Sequence, residues 1–88
     1  MISVIVPVFN EEGNLGTLHR ELLSALESTG REHEIIYVDD GSRDGSFGEL
    51  AALVAGCPHA TLVRFRRNFG QTAAIAAGID RSRGDILI

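Results

Sequence analysis

The sequence predicts an α/β fold: a Rossmann-like parallel sheet in βαβαβαβ order. Apolar, β-branched runs alternate with helix-period segments along the whole chain. The runs are continuous rather than alternating, as strands covered on both faces require. Strands separated by helices imply right-handed crossovers and a parallel sheet.

Ile2 to Val8 reads as the first strand, with Pro7 near its end. Asn10-Glu11-Glu12-Gly13-Asn14 is a polar turn rich in helix-starting residues. Leu15, Leu18, Leu22 and Leu26 recur at helical spacing, with Leu23 beside them. They predict an amphipathic helix ending near Gly30. Glu34 to Val38 is the second strand, and Asp44 is the expected N-cap of the next helix. Phe47, Leu50, Ala51 and Val54 form that helix's apolar face, closed by Gly56 and Pro58. Thr61 to Phe65 is the third strand, and Arg66 to Gln71 is a polar loop. Thr72 to Arg81 is a helix of small residues (Ala73, Ala74, Ala76, Ala77, Gly78), suited to lie close to the sheet and ending near Gly84. Asp85 to Ile88 begins a fourth strand, with Asp85 itself read as a turn residue.

With 88 residues the ceiling is one domain. An apolar fraction of 44% is that of a soluble globular protein, not a disordered one. A net charge of −4 without a basic face argues against nucleic acid as a partner. One cysteine, Cys57, excludes an internal disulfide and is read as structural. No signal-peptide pattern and no apolar run of the ~20 residues needed to span a bilayer is visible, so a cytoplasmic location is expected.

The acidic pair Asp39-Asp40 ends the second strand and precedes Gly41-Ser42. In open α/β sheets ligands bind beyond the carboxyl ends of the strands. A carboxylate there can accept hydrogen bonds from a ligand N–H or a ribose hydroxyl. A turn in which Asp40 or Ser42 merely caps the next helix fits as well, although Asp44 is the better cap. In the first turn, Phe9 offers an aromatic face, and Asn10 and Glu11 offer polar contacts or ordinary helix capping. In the third turn, Arg66 and Arg67 near a helix start suggest an anion site, and Gly70 suggests close backbone approach. A solvated basic loop is the plainer reading of those arginines. Successive turns at one sheet edge thus carry ligand-capable chemistry. His19, His33 and His59 are scattered and read as surface residues, the last two in loops at the opposite edge. No Ser-His-Asp arrangement or metal-spaced Cys/His set exists.

Three segments together are distinctive: Val6-Pro7-Val8-Phe9-Asn10-Glu11-Glu12, Val38-Asp39-Asp40-Gly41-Ser42-Arg43-Asp44-Gly45-Ser46, and Arg67-Asn68-Phe69-Gly70-Gln71. With them the chain resembles the N-terminal part of a family 2 glycosyltransferase of the GT-A fold. The likeness is greatest to the polyprenyl-phosphate sugar transferases, the dolichyl-phosphate mannose synthase-like group. It covers essentially the whole chain. The first two segments mark the broad family, and the Arg-Asn-Phe-Gly loop marks the subgroup.

The resemblance implies that residues 1–88 form the nucleotide-sugar-binding portion of such a domain. The donor would be a UDP- or GDP-sugar. Pro7, Phe9, Asn10 and Glu11 would line the nucleoside pocket. Asp39 and Asp40 would contact base and ribose, with Gly41 beside them. Asn68, Gly70 and Gln71 would close over the nucleotide. The intact enzyme would transfer its sugar with inversion to a lipid-phosphate acceptor, a polyprenyl phosphate, in cell-envelope glycan synthesis. It would work at the cytoplasmic face of the membrane. A divalent metal (Mg or Mn) is expected on the donor diphosphate. In the family its Asp-x-Asp ligands follow the fourth strand, and this chain ends at Ile88, where that motif should begin. No residue here is therefore assigned to metal binding or catalysis, and the fragment is expected to be inactive alone.

A Rossmann dehydrogenase would need Gly-x-Gly-x-x-Gly in the first turn, which here reads Pro-Val-Phe-Asn-Glu-Glu. A receiver-type signalling domain resembles the chain in having an acidic pair, but at the end of its first strand. The remaining rival is an inert α/β fragment that self-associates through exposed strand edges.

Overall fold

The structure, a computed structural model, describes residues 1–87; Ile88, placed by the sequence in the fourth strand, lies outside the described residues. Strand and helix alternate as β1 (Ile2–Val8), α1 (Leu15–Glu27), β2 (His33–Asp39), α2 (Ser46–Ala55), β3 (Ala60–Arg64), α3 (Gln71–Arg81) and β4 (Asp85–Leu87). The strands form one sheet in the order β3-β2-β1-β4, with every pairing parallel. The expected fold class and element order are therefore observed.

The strand order reverses at β1. From β1 the chain steps outward to β2 and β3, then returns to place β4 on the other side of β1. Right-handed crossovers in opposite directions put their helices on opposite faces. Ile2, Val4 and Val8 of β1 and Ile35 and Tyr37 of β2 accordingly pack with Leu15, Leu26 and Leu50 from α1 and α2. The alternate side chains, Ile36 and Val38, pack with Ala74 of α3 and with Val63 and Phe65. The small residues of α3 have the purpose the sequence suggests. A Cβ on Gly78 would stand 2.4 Å from Ile5 Cγ2, so the helix rests directly on β1.

Several expectations need correction. His19 is not a surface residue but is buried, with its Nδ1 2.6 Å from the Tyr37 hydroxyl. Leu15, His19, Leu22 and Leu26 form the inward stripe of α1, whereas Leu18 stays 36% exposed. Burial lowers the His19 pKa, and burial with the nearby Cys57 pushes the Tyr37 hydroxyl up to about 12. His33 is the first residue of β2 rather than part of a loop, and its ring lies 5.2 Å from that of His59. Asp44 precedes the cap position of α2, which Gly45 occupies. Its carboxylate still accepts the Ser46 amide at 2.9 Å. Asp85 is the first residue of β4 rather than a turn residue.

Glu34 enters the fold in a way the sequence does not signal. It is buried at the N-terminal edge of the sheet. Its Oε2 accepts the Ser3 hydroxyl at 2.6 Å and the Arg83 amide at 2.7 Å, and the Gly84 amide donates to Ser3 Oγ at 2.9 Å. This anchors the exit of α3 to the sheet. Burial raises the Glu34 carboxyl, but hydrogen bonds from Ser3 and the Arg83 amide, with the Arg83 charge, hold it below its ordinary value.

Candidate functional site

Parallel register brings the ends of β1, β2 and β3 together, so Val8, Asp39 and Arg64 stand side by side. The turns that follow them meet at this C-terminal edge. Here the strand order also reverses, which is where open α/β sheets leave a crevice.

The first and second turns are braced reciprocally. Asn10 N donates to Ser42 Oγ at 2.9 Å, and Arg43 N donates back to Asn10 Oδ1 at 2.9 Å. Glu11 N donates to Ser46 Oγ at 2.8 Å. Gly45 N donates to Glu12 Oε1 at 2.9 Å, and Glu12 N donates to Asp44 Oδ2 at 3.2 Å. Asn10 has a φ of 53°, a left-handed conformation that Asn tolerates better than most residues. Its carboxamide oxygen therefore holds the neighbouring turn. The Glu11 carboxylate accepts Asn14 Nδ2 at 3.2 Å. Ser46 and Glu12 were given no role from the sequence, and Ser42 was read only as a possible helix cap. The repeated Asp-Gly-Ser spacing after β2 is the signal that could have found the two serines.

The second and third turns meet at Asp40 and Gly41. Asp40 Oδ1 accepts Phe69 N at 2.8 Å, and Oδ2 accepts Gly70 N and Asn68 Nδ2, both at 3.0 Å. Gly41 has a φ of 72°, and a Cβ there would stand 2.2 Å from the Arg67 carbonyl carbon. Within the chain it is Gly41 that permits a close approach of backbone to backbone. Gly70 has open space around it and is required by its φ of 101°. Arg67 lies with its guanidinium 4.5 Å from the centre of the Phe69 ring.

Asp39 is different. It is fully buried, and its Oδ1 accepts Ser42 N at 3.3 Å. Its Oδ2 is the buried side-chain polar atom left without a hydrogen-bond partner among the described residues. Leaving a buried acceptor unpaired costs about 1–3 kcal/mol, so such an atom calls for a partner. In the turns at this edge, Phe9 and Phe69 are 43% and 53% exposed although aromatic. Pro7 is half-buried at the end of β1, and Gln71 is exposed as the first residue of α3. A cavity of about 380 Å³ lined by Val6, Pro7, Val8, Glu11 and Leu15 adjoins this edge. A larger one, about 630 Å³, lies at the opposite edge around Arg31, His33, Glu34 and Arg83. The smaller hollow lies against the first turn and the start of α1, and the larger one surrounds a carboxylate already satisfied. No group of three or more His, Cys, Asp or Glu side chains among the described residues is arranged to hold a metal ion.

Residues 3–88 match the glycosyl transferase family 2 profile. The chain is 47% identical over 90 aligned residues to the undecaprenyl-phosphate 4-deoxy-4-formamido-L-arabinose transferase of Pseudomonas paraeruginosa, covering 100% of this chain and 26% of that protein. It is 40% identical to the transferase of the same name from Shewanella sediminis, covering 99% and 27%. The mannosyltransferase PcManGT from Pyrobaculum calidifontis, solved in complex with GDP-Man and Mn2+, superposes with a TM-score of 0.71 at 24% identity, covering 93% of this chain and 24% of that one. The 1–349 portion of S. aureus TarS superposes with a TM-score of 0.73 at 23% identity, covering 98% and 26%. These two likenesses establish the fold. The chain spans about a quarter of the length of the curated relatives it matches.

Proposed function

The chain belongs to glycosyl transferase family 2, and we propose that it holds the nucleotide of a nucleotide-diphosphate-sugar donor at the C-terminal edge of β1 and β2. In this reading residues 1–88 are the N-terminal, donor-binding portion of a longer glycosyltransferase. The unpartnered Oδ2 of Asp39 carries the proposal. An imide or amide N–H of uracil or guanine, or a ribose hydroxyl, supplies the donor that this oxygen lacks. The exposed ring of Phe9 gives a base a face to lie against. Pro7, Gly41 and the Asn68-to-Gln71 segment shape the walls.

The names of the relatives support a polyprenyl phosphate as acceptor. A phosphate oxygen of the lipid attacks the anomeric carbon as the bond to the nucleoside diphosphate breaks, and direct displacement inverts that centre. The GDP-Man and Mn2+ of the Pyrobaculum neighbour support a nucleotide-sugar donor and a divalent cation for the intact enzyme. The described residues do not fit a cation, so no step is assigned to one here. Among them, no helix is long and apolar enough to cross a membrane. A lipid acceptor nonetheless places the reaction at a membrane face, which we assign to the cytoplasmic side.

Calorimetric titration of the protein that carries this chain with UDP, GDP and their sugars tests the reading. Saturable binding of one nucleotide series is expected. A folded protein that binds none of them overturns it.

A further inference from the structure

Both motif aspartates are expected from sequence to touch the nucleotide, yet their surroundings differ. We propose that Asp40 is a positioning residue: its carboxylate latches the loop of residues 66–70 onto the end of β2, and the nucleotide meets that loop rather than Asp40. This rests on the donor-site reading above and deepens it.

Asp40 is nearly fully buried and both of its oxygens are engaged. All the donors come from one short segment: the side chain of Asn68 and the amides of Phe69 and Gly70. Asn68 Nδ2 also reaches the Asp40 carbonyl at 3.2 Å. The segment has little else to hold it. Phe65 N is bonded to Asp39 O and Gly70 O accepts Ala74 N, but residues 66–69 make no backbone–backbone hydrogen bond among the described residues. A loop without a ladder of its own takes its shape from its side-chain anchors. The carboxylate also stands before α3, where negative charge complements the helix dipole.

The latch has a visible product. Gly41 lets the Arg67 backbone lie against β2's end. Phe69 then turns its ring edge-on to Phe65 at 5.5 Å and stays exposed with Arg67 stacked on it. A guanidinium and an aromatic face are thereby displayed at the C-terminal edge of the sheet. They suit the phosphates and the base of one nucleotide.

The test combines two readouts on the protein that carries this chain. Amide hydrogen exchange is followed without nucleotide, and UDP and GDP affinity is measured by calorimetry. Asp40→Asn is expected to speed exchange of the Phe69 and Gly70 amides about tenfold or more while core amides of β1 and β2 keep their protection. The same variant is expected to bind nucleotide about tenfold more weakly. Asn68→Ala, which leaves the carboxylate in place, is the second variant and should shift both readouts in the same direction by less. Unchanged Phe69 and Gly70 exchange with weakened nucleotide binding overturns the proposal, because Asp40 is then a direct contact. Faster exchange with unchanged affinity overturns it too, because the loop then positions nothing. Exchange that quickens across the whole sheet in both variants shows a merely structural role and overturns it as well. If the unsubstituted protein binds no nucleotide, the donor-site reading fails and the proposal with it, whereas unaltered binding of the natural protein beside any of the outcomes above leaves that reading standing.

Discussion

At its N-terminal edge the sheet presents Glu34, and at its C-terminal edge it presents Asp40, both from the same face of β2. Each is buried, and each grips one end of α3. Glu34 takes the Arg83 amide at the helix exit, and Asp40 takes the Phe69 and Gly70 amides at its entrance. The edges part company at Asp39, on the other face of β2. There a second buried carboxylate keeps an oxygen without a partner. Burial of a carboxylate is thus no mark of function by itself. A satisfied one fixes the architecture, and an unsatisfied one calls for a partner, which we propose is the nucleotide.

The first way to break this comparison is at Glu34. Glu34→Ala strands the Ser3 hydroxyl and the Arg83 amide and should lower unfolding free energy by roughly 3 kcal/mol in urea titration. The nucleotide affinity of the folded fraction should not change. A fall in that affinity would mean that the two edges are coupled through α3.

Gly41→Ala attacks the other edge. The new Cβ meets the Arg67 backbone at 2.2 Å from a φ of 72°, so the loops must separate. A loss of about 2 kcal/mol is expected. Here nucleotide binding should fall as well, which separates this edge from the Glu34 edge.

The pH dependence sharpens the contrast between buried groups. The His19 pKa is lowered from 6.5, so the unfolded chain binds the extra proton first. Stability is full above 6.5 and falls below it, with a slope no steeper than about 1.4 kcal/mol per pH unit. Glu34 acts in a lower window, since its pKa is held below 4.5. Its contribution is present above 4.5 and lost as the pH falls through the folded value. Denaturation midpoints across pH should lose the upper phase in His19→Gln and the lower phase in Glu34→Gln.

The smallest effect is at Arg31 and Asp85, an exposed pair 3.6 Å apart beside the Glu34 edge. Arg31→Ala should change stability by less than about 0.5 kcal/mol, because exposed ion pairs are screened and mobile.

Much of the fold was legible because continuous β-branched runs and helix-period leucines report burial directly. The position of the candidate site was legible for the same reason, since acid at the end of an apolar strand is conspicuous. What was hidden depends on contacts distant in sequence. His19 looked polar, but its spacing from Leu15 and Leu22 puts it in the core beside Tyr37. Glu34 looked like a strand start, although its partners Ser3 and Arg83 come from two other elements. Asp39 and Asp40 read as one motif, yet adjacent residues of an extended chain point to opposite faces, so Asp40 holds the loop of residues 66–70 while Asp39 bonds only within its own turn.

The measurement closest to the central claim is made on Asp39→Asn. Unfolding free energy without nucleotide and nucleotide affinity are read on the same protein. The substitution keeps an oxygen for Ser42 and replaces the unpaired acceptor, so stability should stay within about 1 kcal/mol while UDP or GDP binding weakens tenfold or more. A variant destabilised as much as Glu34→Ala, with nucleotide affinity intact, would contradict the account.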